Sequence, residues 1–153
     1  MPELPEVETM RRGVQGIVGR RILAVEFPRS HCKPIAMSPA RTTLRRKLLG
    51  QRIQGIDRIG KRLLVRLTPE QTLVIEPRMT GLVLVADPPD DEHLRVRWQL
   101  DDVTTPSFAF WDRRGLGTLR LVPSADVLHL LGPDRIGPDA LGIAESELRT
   151  RLE

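Results

Sequence analysis

The sequence predicts a mainly β domain, an antiparallel sandwich or barrel led by one amphipathic helix. Three observations carry this. Short runs of alternating or apolar residues recur from residue 52 to residue 122, turn-forming residues separate them, and no helical period intervenes.

Taken in order, residues 5–18 read as the leading helix. Leu4, Val7, Met10, Val14 and Ile17 recur at intervals of three or four and line one face. Glu3, Glu6 and Glu8 lie near its start and Arg11 and Arg12 follow, the order that the helix dipole favours. Pro5 is tolerated because it falls in the first turn, and Gly19 is the expected stop. Residues 21–27 then alternate as a strand, and 28–39 read as a loop. Ser38-Pro39 opens a short helix over 40–49, with Leu44, Leu48 and Leu49 turned inward and Gly50 after it. Strands are expected at 52–58, 62–67, 72–76, 79–85, 93–100, 107–112 and 118–122. Turns fall at Thr68-Pro69-Glu70 and at 86–91 and 100–103. Ser124 caps a short helix reaching Leu131, Gly132-Pro133-Asp134 and Gly137-Pro138-Asp139 interrupt the chain, and 144–153 begins a further helix.

A length of 153 residues suits one domain with a real core. Hydrophobic residues at 40% and charged residues at 29% exclude wholesale disorder, and with aromatics at only 3% the core must rest on Leu, Ile and Val. Of 24 basic residues only Lys33, Lys47 and Lys61 are lysines. The planar fork of Arg matches phosphate oxygens, so a polyanionic partner and a mere preference for Arg codons both stay open at this point. Cys32 is the only cysteine, which leaves no internal disulfide and no cysteine-based zinc site, and no metal-ligand set is read in this chain. No stretch reaches the roughly 20 apolar residues of a membrane helix. The N-terminus lacks the basic start and apolar run of a secretion signal. These features lead to the expectation of a soluble cytoplasmic protein.

Chemistry concentrates at the N-terminus. Removal of Met1 would expose Pro2 as a secondary amine. An α-amine has a pKa near 8, so a substantial fraction is neutral and nucleophilic at physiological pH. Such an amine attacking a sugar C1′ yields an iminium, an electron sink that eases β-elimination. Glu3 beside it could serve as acid or base. For an arbitrary chain starting Met-Pro-Glu, the plainer reading is a helix lead-in.

Five ordered motifs favour the chemical reading. Met1-Pro2-Glu3-Leu4-Pro5-Glu6-Val7-Glu8-Thr9 with Arg11-Arg12, then Ile59-Gly60-Lys61-Arg62-Leu63-Leu64, Pro77-Arg78-Met79-Thr80-Gly81, Asp112-Arg113-Arg114-Gly115-Leu116-Gly117 and Leu131-Gly132-Pro133-Asp134 follow one another. Together they resemble the formamidopyrimidine-DNA glycosylases of bacteria. The resemblance implies a two-layer antiparallel β-sandwich with an N-terminal helix and short flanking helices. It implies base excision repair: removal of oxidised purines such as 8-oxoguanine and formamidopyrimidines, with AP-lyase cleavage through a Schiff base on Pro2. Glu3 would be the acid/base at the sugar and Lys61 the lysine at the damaged nucleotide. Met79, Arg114 and Leu116 would fill the gap left by a flipped-out base, His93 would contact DNA, and Glu6 would be a second carboxylate near the pocket.

The same resemblance makes damaged double-stranded DNA the partner of a monomer. It divides the chain into a catalytic domain over 1–140 and, over 141–153, the lead-in to a helix–two-turns–helix and zinc-finger half lying elsewhere, which would hold the only zinc. This chain departs from the family pattern at Leu116, where Phe is commoner, at Glu76, usually His, and at His93, the remnant of a His-x-His pair preceded by Asp91. Two rivals follow from these departures and from composition: a damage-binding paralogue without catalysis, and an Arg-rich sandwich that binds proteins.

Overall fold

The computed structural model describes residues 2–131 and 141–152. Among these described residues, nine strands form two packed sheets: β1 (Ile22–Glu26), β2 (Ala36–Ser38), β3 (Ile53–Ile59), β4 (Arg62–Leu67), β5 (Gln71–Glu76), β6 (Gly81–Leu84), β7 (Leu94–Leu100), β8 (Ser107–Asp112) and β9 (Thr118–Pro123). Four helices accompany them among the described residues: α1 (Leu4–Gly13), α2 (Arg41–Leu48), α3 (Ser124–Leu131) and α4 (Glu145–Leu152). One sheet runs β1-β7-β8-β6 and the other β2-β9-β5-β4-β3. The expected two-layer sandwich with a leading helix is therefore the architecture.

Its edge differs from a purely antiparallel plan. β2 pairs parallel with β9, Ala36 opposite Thr118 and Ser38 opposite Arg120, inside the stretch read as loop. Three residues between Pro34 and Pro39 are too few to display an alternation, so only the neighbouring strand reveals them as a strand. The leading helix is also shorter than the apolar period suggests. It ends at Gly13, and residues Gln15–Ile17 tighten into a 3₁₀ turn. Gly13 and Gly16 weaken the α-helix here, yet Val14 and Ile17 still reach the core through the tighter turn. The Leu131-Gly132-Pro133-Asp134 motif beyond Leu131, the second Gly-Pro-Asp break and the division at 140/141 lie outside the described residues.

The main core lies between the sheets, where Val96, Trp98, Phe108 and Phe110 face Ile53, Leu63, Val65, Leu73 and Ile75. Trp98 and Phe108 stack with ring centroids 4.4 Å apart. β4 and β5 are covered on both sides. Leu64 and Val74 on their outer face pack against Val127 and Leu131 of α3, which explains the unbroken apolar runs in these two strands. α1 closes the main core with Val7 and lies against β3, β4 and β6. That packing carries the N-terminus to the hairpin joining β3 and β4.

Candidate active site

The N-terminal residues reach the site because α1 is tied to β3 by charge. Glu8 accepts hydrogen bonds from Arg11 at 2.6 Å and from Arg58 Nε at 2.9 Å. The Arg11 guanidinium first, and Arg58 with it, hold the Glu8 carboxyl down to about 2, against the opposing effect of burial. Arg58 also donates to the carbonyl of Gly60 at 3.0 Å, inside the β3–β4 turn. Gly60 adopts a φ of 61°, and the next residue is Lys61. One arginine thus links the helix bearing Pro2 and Glu3 to the turn bearing Lys61. At the helix start, Glu6 accepts the backbone N–H of Glu3 at 3.0 Å, one of the donors a helix leaves without an internal partner. The Lys61 ammonium meets the Glu3 carboxylate at 2.5 Å, with both side chains about half exposed.

A cavity of about 280 Å³ opens at this pair, lined by Pro2, Lys61, Glu76, Arg78, Met79 and Leu116. These residues come from the N-terminus, the β3–β4 turn, the end of β5 with the β5–β6 connection, and the β8–β9 loop. A second hollow of about 390 Å³ shares Pro2 and Met79 and adds Glu6, Met10, Trp111 and Arg113. Pro2 is therefore common to both. Glu76, where the resembled family usually has His, sits between two guanidinium groups, 3.2 Å from Arg78 Nε and 3.6 Å from Arg62 Nε. Its charge is offset by these neighbours. Arg78 holds a φ of 55°, a left-handed conformation costly for a side chain with a Cβ.

Two short segments on the far wall are held by one buried carboxylate. Asp112 is fully buried; its Oδ1 accepts the Thr80 hydroxyl at 2.7 Å and its Oδ2 accepts the Gly117 N–H at 2.8 Å. The Thr80 hydroxyl in turn accepts the Arg114 N–H at 2.9 Å. This knits the Met79 turn to the loop of Arg114 and Leu116. Gly81 must be glycine, because a Cβ there would meet the Pro77 carbonyl oxygen at 2.5 Å. The loop between β8 and β9 leaves Arg114 exposed and Leu116 partly so, rather than in the core.

The structure thus gathers Pro2, Lys61, Met79 and Leu116 on one cavity, Glu3 through its ion pair, and Arg114 on the adjoining loop. It does not bring His93 there. His93 Nδ1 lies 3.0 Å from Asp90, and its ring packs edge-on against Trp111, which itself hydrogen-bonds Asp90 at 3.1 Å. The His93 backbone N–H, its ring and Trp111 together lower the Asp90 carboxyl below its ordinary value. Sequence reading missed Glu8, Arg58, Thr80 and Asp112 as the supports of the site. Thr80 and Asp112 stand inside recognised motifs, and that was their only visible mark; nothing in the local pattern pairs Glu8 with Arg58.

Comparison with known proteins bears on the same segments. The profile of the formamidopyrimidine-DNA glycosylase N-terminal domain matches residues 1–119. The formamidopyrimidine-DNA glycosylase of Mycobacterium leprae is 43% identical over 120 residues, covering 76% of this chain and 41% of that protein. That of Heliobacterium modesticaldum is 38% identical over 148 residues, covering 93% and 52%. The chain spans about half the length of the curated relatives it matches. Among solved structures, Lactococcus lactis Fpg in complex with DNA containing an abasic site superposes with a TM-score of 0.70 at 30% identity, over 84% of this chain and 46% of that one.

Proposed function

The chain belongs to the formamidopyrimidine-DNA glycosylase family, and on that premise we propose that it forms the base-excising part of a DNA glycosylase and AP lyase acting on oxidised purines. The supporting observation is that Pro2, Lys61, Met79 and Leu116, from four separate segments, border one cavity.

In this reading the free amine of Pro2 attacks C1′ of the damaged nucleotide, and the C1′–base bond breaks with its electron pair leaving on the base. The ring-opened sugar is held as an iminium, which takes up the electrons released when a proton leaves C2′, and the bond to the 3′ phosphate oxygen then breaks. Glu3 moves the proton at the sugar, and its pairing with Lys61 keeps a cation beside the site where phosphate charge gathers. Met79 and Leu116 supply the apolar wedge and Arg114 the polar contact that compensate for an extruded base. His93 acts from outside this cavity, as part of the Asp90–Trp111 cluster, so any contact with DNA is made away from the reacting sugar. The partner is damaged duplex DNA, bound by a monomer in the cytoplasm. Any zinc finger belongs to a region beyond these 153 residues. Among the described residues no helix is long and apolar enough to cross a membrane.

The test uses the full-length protein with Met1 removed and DNA carrying 8-oxoguanine or an abasic site. Borohydride should trap a covalent adduct whose peptide map places the DNA on Pro2. One residue added ahead of Pro2 acylates the nitrogen and should remove nearly all trapping. An adduct mapped to Lys61 with Pro2 unmodified would overturn the assignment.

A further inference from the structure

Away from the cavity, the connection between β1 and β2 carries His31 and Cys32 and folds back on the segment before β7. Ser30 holds it there: its hydroxyl donates to the carbonyl of Glu92 at 3.1 Å and accepts the Cys32 N–H at 3.0 Å. Three different donor atoms converge as a result. His31 Nε2 lies 3.3 Å from Glu92 Oε1, Cys32 Sγ lies 4.0 Å from the same oxygen, and all three ligand atoms fall within 4.8 Å of one another.

Imidazole nitrogen, thiolate sulfur and carboxylate oxygen form a donor set suited to a borderline-soft divalent ion and poorly suited to calcium or magnesium. With metal–ligand bonds of about 2.0–2.3 Å, neighbouring donors around a tetrahedral ion sit about 3.3–3.6 Å apart. The His31–Glu92 edge already has that length, and Cys32 Sγ lies 4.0 Å from the shared oxygen and within 4.8 Å of the His31 nitrogen, so the thiol has to close by up to about an ångström. A single cysteine rules out a centre built from several cysteines, but not one completed by residues brought close by the fold.

We propose that His31, Cys32 and Glu92 bind one zinc ion, with water in the fourth position. The site is independent of the glycosylase reading. Its loop has a structural neighbour that matters: Arg95 donates to the Lys33 carbonyl at 2.6 Å and to the Asp112 carbonyl at 2.8 Å, and Gly115 packs against that same Lys33 carbonyl. An ion at residues 31, 32 and 92 would fasten the loop that backs the segment carrying Arg114 and Leu116.

The experiment titrates the metal-free chain with Co²⁺ and then Zn²⁺. One equivalent of Co²⁺ should produce a thiolate-to-cobalt charge-transfer band that Zn²⁺ abolishes, and saturating Zn²⁺ should slow alkylation of Cys32 at least tenfold. Cys32→Ser should eliminate the band, and His31→Ala and Glu92→Gln should each weaken Zn²⁺ binding about tenfold. Both of these side chains are largely exposed, so the variants should keep the far-ultraviolet dichroism of the parent. Absence of the band, its survival in Cys32→Ser, or alkylation unchanged by saturating Zn²⁺ would each overturn the proposal.

Discussion

Two carboxylate–cation pairs join α1 to the β3–β4 hairpin, and they occupy opposite environments. In Glu8–Arg58 the side chains are 13% and 6% exposed, whereas in Glu3–Lys61 they are 46% and 54% exposed. Water screens the outer pair, which therefore contributes little to folding and can exchange partners at little cost. The inner pair is more shielded and is part of a wider network, because Glu8 also pairs with Arg11, so removing Arg58 takes away the contact between elements while Arg11 still offsets the Glu8 charge. The difference separates two settings at one helix start: the inner pair ties α1 to β3, and the outer pair, in the proposed function, is the one that takes part in the chemistry.

That separation can be broken most severely through the outer pair. In the full-length protein, Glu3→Gln should slow base release by about 10²- to 10⁴-fold, read by single-turnover excision, and should slow cleavage of a preformed abasic site much less. Its stability in urea should move by no more than about 1 kcal/mol. A variant that loses stability while keeping its excision rate would invert the comparison.

The inner pair should behave the other way. Arg58→Ala is expected to cost about 1.5–3 kcal/mol, measured by urea denaturation of the chain, because Glu8 loses its cross-element partner while keeping Arg11. A loss below about 1 kcal/mol would mean that this pair is no more buried in effect than the outer one.

Acid sharpens the same contrast. The Glu8 carboxyl lies at about 2 in the folded chain against an ordinary 4.5, so its depressed value stabilises the fold above pH 4.5 and that contribution is lost as pH falls from 4.5 to 2. The linked free energy is at most about 3 kcal/mol. Glu8→Gln should flatten the stability profile across this window, and an unchanged slope would show that other carboxylates carry the acid sensitivity.

The smallest effect is expected at the cavity wall. Arg78 is held at a φ of 55°, and Arg78→Gly should relieve that strain and raise stability by up to about 1 kcal/mol, net of the exposed ion pair with Glu76. Thermal denaturation would read it. Destabilisation would indicate that the Arg78–Glu76 contact contributes more than its exposure suggests.

Much of the fold was legible because side-chain periodicity is a local property. Strands 62–67 and 107–112 and the helix ending at Leu131 have the bounds that alternation and capping suggest. The residues that border the cavity were legible in part, since an N-terminal proline, a rare lysine and short Gly-containing motifs each mark themselves in one dimension. Their supports were not. Asp112 reads as a strand end, Thr80 as a turn residue and Glu8 as one more acid in a helix, because hydrogen-bond partners 32 and 50 residues away leave no local trace.

By itself the sequence determined the alternation that makes strands, the apolar face of α1, the Pro2-Glu3 start ahead of that helix and the scarcity of lysine. Tertiary structure alone decided that residues 36–38 are a strand, that His93 lies apart from the cavity, and that His31 and Cys32 meet Glu92. The reason is physical: the period of a strand or helix follows from its own backbone geometry, whereas the partner of a side chain follows from sheet order, register and burial, which are properties of the whole packed chain.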